Sequence, residues 1–232
     1  MNMKNFQHIL LPFEIPKLKV VQNNEGRRFY VVPNGNSYPS ITTVIDFWQR
    51  EGIRKWRMRV GEEEAERVRL HTSKRGTKVH KMCDDYLNNK SEMLKGHNPE
   101  HVVLFEKLEE HFESVDKIHL QEEALFSNEL RIAGRVDCIA EFNGKLSIID
   151  FKTKGYPQKL EWMGKHFVQC AAYAEMWEER MKDMPIQQLV LMVTPEDGNA
   201  QIFTEDREIY KHSRIETLKN IIREFNNGSV PK

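Results

Sequence analysis

Apolar and polar residues change their spacing along this chain, and the changes divide it into elements. Arg27 to Val32 reads as a strand ending in an Asn34-Gly35-Asn36 turn. Pro39-Ser40-Ile41-Thr42-Thr43 then precedes the apolar run Val44 to Trp48, a helix that Ser40 or Thr42 can N-cap. Arg54 to Tyr86 is expected to be mostly helical, with a break near Thr72-Ser73, and Asn88 to Asn98 is a polar linker. Val103, Leu104, Leu108 and Phe112 recur at helical spacing within Glu100 to Phe112. Lys117 to Phe126 is the first core strand, and a tight turn at Asn128-Glu129 would oppose Ser127 to Leu130 and Glu122 to Arg135. Two β-rich runs flank Asn143-Gly144, a dipeptide suited to a type I′ turn because both residues need positive φ. Lys159 to Arg180 returns to helical spacing. Gln187 to Val193 and Ala200 to Thr204 are strands about a turn at Pro195 to Asn199, and Asp206 to Phe225 closes the chain as an amphipathic helix. The order of strands and helices predicts an α/β fold.

If the loop at Asn143-Gly144 is two residues, Phe142 opposes Lys145, Asp137 opposes Asp150 and Arg135 opposes Lys152. Side chains alternate, so these four charged residues share one face, while Val136, Cys138, Ile149 and Phe151 point into core on the other. That register brings two carboxylates to about 5 Å at Cβ. They repel by roughly 3 kcal/mol at an effective dielectric near 20. A divalent cation would offset the repulsion, and carboxylate oxygens suit Mg²⁺ or Mn²⁺. The alternative is a solvated hairpin whose charges Lys152 and Arg135 soften. It sits poorly with the apolar run Leu146 to Ile149, which implies a buried strand.

Composition narrows the setting. The chain has 232 residues, 39% of them hydrophobic and 30% charged, with zero net charge. That length fits one compact unit: a helical N-terminal part over 1–116 and a core over 117–232. No apolar run approaches the ~20 residues of a membrane span. Met1 to Leu11 lacks both a secretory apolar core and the arginines of a transit peptide, so a cytoplasmic protein with no membrane partner is expected. Cys83, Cys138 and Cys170 are widely spaced and odd in number, which disfavours disulfides. Arg50 to Lys81 holds 11 Lys or Arg against 5 Glu, a local excess that could meet phosphates or form a solvated helical surface. Trp56 beside Arg57 and Arg59 suits stacking on a single strand, or packing inside a helical part. Internal repeats and low-complexity tracts are absent.

The string Gly134-Arg135-Val136-Asp137-Cys138 through Asp150-Phe151-Lys152-Thr153 resembles the PD-(D/E)XK nuclease signature. It is similar to the RecB-like branch and most closely to the mitochondrial genome maintenance exonuclease 1 family, over roughly residues 39–205. The resemblance implies a restriction-endonuclease-like mixed sheet flanked by helices. It also implies Mg²⁺- or Mn²⁺-dependent hydrolysis of DNA, as an exonuclease on single strands with a free end, in replication, repair or recombination. Asp137, Asp150 and Lys152 would be catalytic. His80, Asp137, Asp150 and the Phe151 carbonyl would hold the cation, with Glu122 a further candidate ligand or a partner for Arg135, and Glu123 in its place if the register slips by one. Gly76, His80 and Asp84 share one helical face, and Arg75-Gly76 with His80 matches the helical histidine motif of such nucleases. Gln169 and Tyr173, four apart, are similar to their Gln-x-x-x-Tyr motif. Ser40 and Thr42 match a Pro-Ser-Val-Thr-like motif, where hydroxyls could meet DNA phosphate, although capping is the commoner role. Arg135 could contact phosphate.

Some RecB-like relatives carry a four-cysteine iron–sulfur cluster; three dispersed cysteines argue against one here. A monomer is expected, with replication or recombination proteins as further partners. The rival readings are a catalytically inactive DNA-binding module, a duplex-selective or structure-specific nuclease, and the nuclease subunit of a larger recombination complex. No Walker-type Gly-Lys-Ser/Thr stretch supplies a motor.

Overall fold

A computed structural model describes residues 4–228. Strands β1 (Lys19–Gln22), β2 (Arg28–Val31) and β3 (Ser37–Pro39) form a small antiparallel sheet. Helices α1 (Ile41–Val60), α2 (Glu62–Leu87) and α3 (Pro99–Glu109) follow. The central sheet contains β4 (Val115–Ser127), β5 (Ile132–Phe142), β6 (Lys145–Lys154), β7 (Gln188–Pro195) and β8 (Gln201–Asp206), in that spatial order. Helix α4 (Gly164–Glu178) crosses from β6 to its parallel neighbour β7, and α5 (Arg207–Asn226) ends the described chain. This is a mixed α/β fold with a five-stranded mixed sheet. Among the described residues no helix is long and apolar enough to cross a membrane.

The sheet is covered on both faces. Every residue of β7 is buried, as expected of a central strand reading as one apolar run. Leu189, Leu191 and Val193 pack with α1, α4 and α5, while Val190 and Met192 pack with α2 and α3. Ser40 caps α1: its Oγ accepts from the Thr43 N–H at 3.0 Å.

Three features differ from the sequence expectation. The long helical segment breaks at Gly61 rather than at Thr72-Ser73. Gly61 takes φ 89°, whereas the Thr72 hydroxyl donates to the Val68 carbonyl at 2.8 Å and stays within α2. The β4–β5 connection spans four residues, pairing Ser127 with Ile132, and Arg131 adopts a positive φ of 53°. Opposed positions therefore shift by two: Ala124, not Glu122, faces Arg135, and Glu122 falls level with Asp137. The β5–β6 register matches expectation from Phe142–Lys145 to Cys138–Ile149, and there the paired ladder ends. Val136 joins the core beside α4 while Cys138, Ile149 and Phe151 join the opposite one, so alternation is lost across Asp137.

Candidate active site

The end of the β5–β6 ladder is the centre of the site. Asp137 does not pair through its backbone with Asp150; its Oδ2 accepts the Phe151 N–H at 2.9 Å. The side chain thus replaces the lost ladder partner. Helix α2 is anchored by Val79, Met82 and Cys83 in the core, and this delivers His80 from above. His80 Nδ1 lies 3.3 Å from Asp137 Oδ2, and its ring meets the Phe151 ring edge-on at 6.0 Å. Glu122, with φ of 48° inside β4, completes a group. Ligand atoms of His80, Glu122 and Asp137 all lie within 4.8 Å of one another. Arg135 reaches Glu122 at 3.8 Å.

Asp150 lies outside that group. It is 1% exposed, and its carboxylate is turned onto the Lys152 ammonium. Neither carboxylate oxygen has an aligned hydrogen-bond donor. Residues 150 and 152 share a strand face, so the lysine neutralises a carboxylate that burial would otherwise penalise.

The electrostatics reflect this crowding. Burial pushes Asp150 up despite Lys152, with Asp137 adding to the rise. Burial and the Asp137 charge raise Glu122 to about 7. Asp137 is held below the usual carboxylate range: burial opposes this, but His80, Lys152 and the Phe151 N–H outweigh it. His80 is raised, because Asp137 overcomes burial. Lys152 is raised too: burial disfavours its charge, and Asp150 with Asp137 restores it. The donor set fits a divalent cation on two counts. Carboxylates and an imidazole converge, and the buried Asp150 carboxylate has, beside Lys152, no hydrogen-bond donor among the described residues.

An open cleft of about 710 Å³ leads to this group, lined by Ser40, Thr42, Gly76, His80, Glu122, Asp137, Gln169 and Tyr173 among others. Gln169 donates to the Tyr173 hydroxyl at 3.1 Å. A Cβ on Gly134 would stand 2.8 Å from Tyr173 Cε1 and 3.0 Å from Ile41 Cγ2, so β5 needs glycine where α4 and α1 press against it. Ser40 is buried in its capping role, while Thr42 is exposed. Trp56, Arg75 and Thr153 do not line the cleft. Arg75 is 4% exposed and pairs with Glu196, tying α2 to the segment after β7. Gly76 passes close to Thr153. Much of the basic segment is laced by its own pairs: Arg54–Glu51, Arg57–Glu62, Arg67–Glu64 and Arg69–Glu66. These are exposed and worth little each. The three cysteines are buried and free, and burial raises their thiols, so none is an activated nucleophile.

Sequence reasoning missed Lys154 at the end of β6 and Lys165 and His166 at the start of α4, which gather near Lys152; for the α4 pair, basic residues in a first helical turn were the available signal.

The family model described as the PD-(D/E)XK nuclease superfamily matches residues 51–231. Mitochondrial genome maintenance exonuclease 1 of Mus musculus is 25% identical over 133 residues. That match covers 54% of this chain and 39% of the mouse protein, so the chain spans well under half of that relative's length. A crystal structure of a candidate exonuclease from Eubacterium rectale aligns over 68% of this chain and 69% of its own, with 12% identity and a TM-score of 0.44.

Proposed function

Because this chain belongs to the PD-(D/E)XK nuclease superfamily, we propose that it is a divalent-metal-dependent DNA exonuclease that degrades single strands from a free end. The observation that carries the reading is the convergence of His80, Glu122 and Asp137 beside the buried Asp150–Lys152 pair, where the β5–β6 ladder stops. His80, Glu122, Asp137, Asp150 and the Phe151 carbonyl would hold Mg²⁺ or Mn²⁺. A cation bound there would polarise a phosphoryl oxygen and lower the pKa of a bound water.

The chain's own groups supply the remainder. Lys152 keeps its proton, so it serves as a donor that orients the attacking water and stabilises charge developing on the phosphate, not as a base. His80 and the Phe151 N–H fix the Asp137 carboxylate in place. Tyr173, oriented by Gln169, presents a polar edge to the cleft, and Thr42 on α1 offers a hydroxyl near a backbone phosphate.

The preference for a free single-stranded end is supported by the walls of the cleft. Thr42 on α1 and Thr72, Gly76 and His80 on α2 border it, so both helices would flank a strand lying in it. The mouse relative is named as an exonuclease, which adds to this reading by analogy. Incubating circular single-stranded DNA beside its linear form, with Mg²⁺ and with EDTA, tests it. Metal-dependent loss of the linear form alone is expected; equal degradation of the circle would make an endonuclease the better reading.

A further inference from the structure

Three basic side chains beside the site, Lys154, Lys165 and His166, form no close ion pair among the described residues. Lys154 on β6 lies 3.1 Å from His166 Nε2, and Lys165 on α4 donates to Gln49 Oε1 at 2.9 Å. Neither lysine forms an ion pair among the described residues. Both are half-buried, and both face Lys152, whose own charge is already matched by Asp150. Lys165 and His166 occupy the first turn of α4, which contains no acid. Cations there oppose the helix dipole, so helix stability does not account for them. Asp46 on α1 is the carboxylate acting on Lys165, and it is shared with Arg28. Burial and the surrounding lysines hold His166 neutral, which leaves its Nε2 free to accept from Lys154.

Lys154 and Lys165 therefore stand beside Lys152 without a close ion pair of their own, Asp46 acting on Lys165 from α1. We propose that Lys154 and Lys165 form a phosphate subsite, which takes the backbone phosphate of the substrate strand adjacent to the one being cleaved. This rests on the nuclease reading and deepens it. Lys152 and Lys154 alternate on one strand face, about 7 Å apart, a separation comparable to one nucleotide step of an extended strand. Lys152 then addresses the scissile phosphate and Lys154 the next one, with Lys165 closing on it from α4.

The test is anisotropy of a fluorescein-labelled single-stranded oligonucleotide in EDTA, where binding is read without cleavage. Wild type, Lys154→Gln, Lys165→Gln and the exposed control Lys182→Gln are titrated across a range of NaCl. Each subsite variant is expected to lower the slope of log K against log salt by about 0.7, the value for one single-strand phosphate contact. Lys182→Gln is expected to leave the slope unchanged. Both subsite variants should melt at or above the wild-type temperature, because an unmatched charge is removed; a purely structural lysine would lower it. Unchanged slopes for Lys154→Gln and Lys165→Gln overturn the subsite. If wild type still cleaves with Mg²⁺ in that case, the nuclease reading stands alone. A wild type that neither binds nor cleaves removes both.

Discussion

Glu122→Gln should stabilise the metal-free protein, and the sign follows from where Glu122 sits. Its carboxyl is raised from 4.5 to about 7 by burial and by the Asp137 charge. A carboxylate whose folded pKa lies above its unfolded value binds protons more tightly when folded. It therefore costs no stability below about pH 4.5; the cost grows between there and about 7 and is complete above. A tenfold change in proton affinity is worth ~1.4 kcal/mol, so the full penalty is about 3 kcal/mol before screening. The side chain is 32% exposed, and solvent screening reduces the expected gain to about 1.5 kcal/mol. Glutamine keeps the shape and removes the charge. Urea unfolding in EDTA at pH 8 should place the variant above wild type by that amount, and the two curves should converge at pH 4.5. Added Mn²⁺ should reverse the order, because wild type then gains binding energy that the variant lacks. A variant equal to or less stable than wild type in EDTA at pH 8 would refute the crowding argument.

Asp150→Asn should cut cleavage by about 10³-fold or more, since metal stabilisation is worth several kcal/mol. In EDTA at pH 8 it should leave the metal-free protein at least as stable as wild type, because burial and Asp137 raise Asp150 despite Lys152, so its charge opposes folding; undiminished Mg²⁺-dependent cleavage would remove Asp150 from the site. Lys152→Ala should lower cleavage by about 10²–10³-fold while calorimetry finds Mn²⁺ affinity maintained; a large loss of affinity would make Lys152 a structural support of the ligands. Gly134→Ala should cost about 1–3 kcal/mol in urea unfolding, since its Cβ would press on Tyr173 at 2.8 Å; full stability would show that α4 gives way freely.

The features of this site that are legible in the sequence are those governed by short-range geometry. Asn143-Gly144 and a side-chain period of two set five consecutive β5–β6 pairs, and the structure keeps all five. The β4–β5 turn resists such reading because it contains no glycine; Arg131 supplies the left-handed residue, which its identity does not advertise. The resulting shift is two positions, so parity survives: the face of Glu122 is readable, its partner is not. The boundary at Gly61 does carry a signal. Arg57 and Arg59 end α1 and Glu62, Glu63 and Glu64 begin α2, each complementing its helix dipole. The Asp150–Lys152 contact is invisible to reasoning about opposed strands because it runs along one strand.

The breakdown of the ladder follows from the chemistry itself. A regular hairpin would set Asp137 against Asp150 at a repulsion of roughly 3 kcal/mol. The strands separate just before that pair, after Cys138–Ile149. Asp137 then captures the Phe151 N–H and meets His80, and Asp150 turns to Lys152. Each carboxylate thereby finds a donor or a cation of its own, Asp137 at the wall of the cleft and Asp150 buried behind it. The alternation that predicted the site therefore fails at the site, where the two carboxylates that would oppose each other take the Phe151 N–H and the Lys152 ammonium instead.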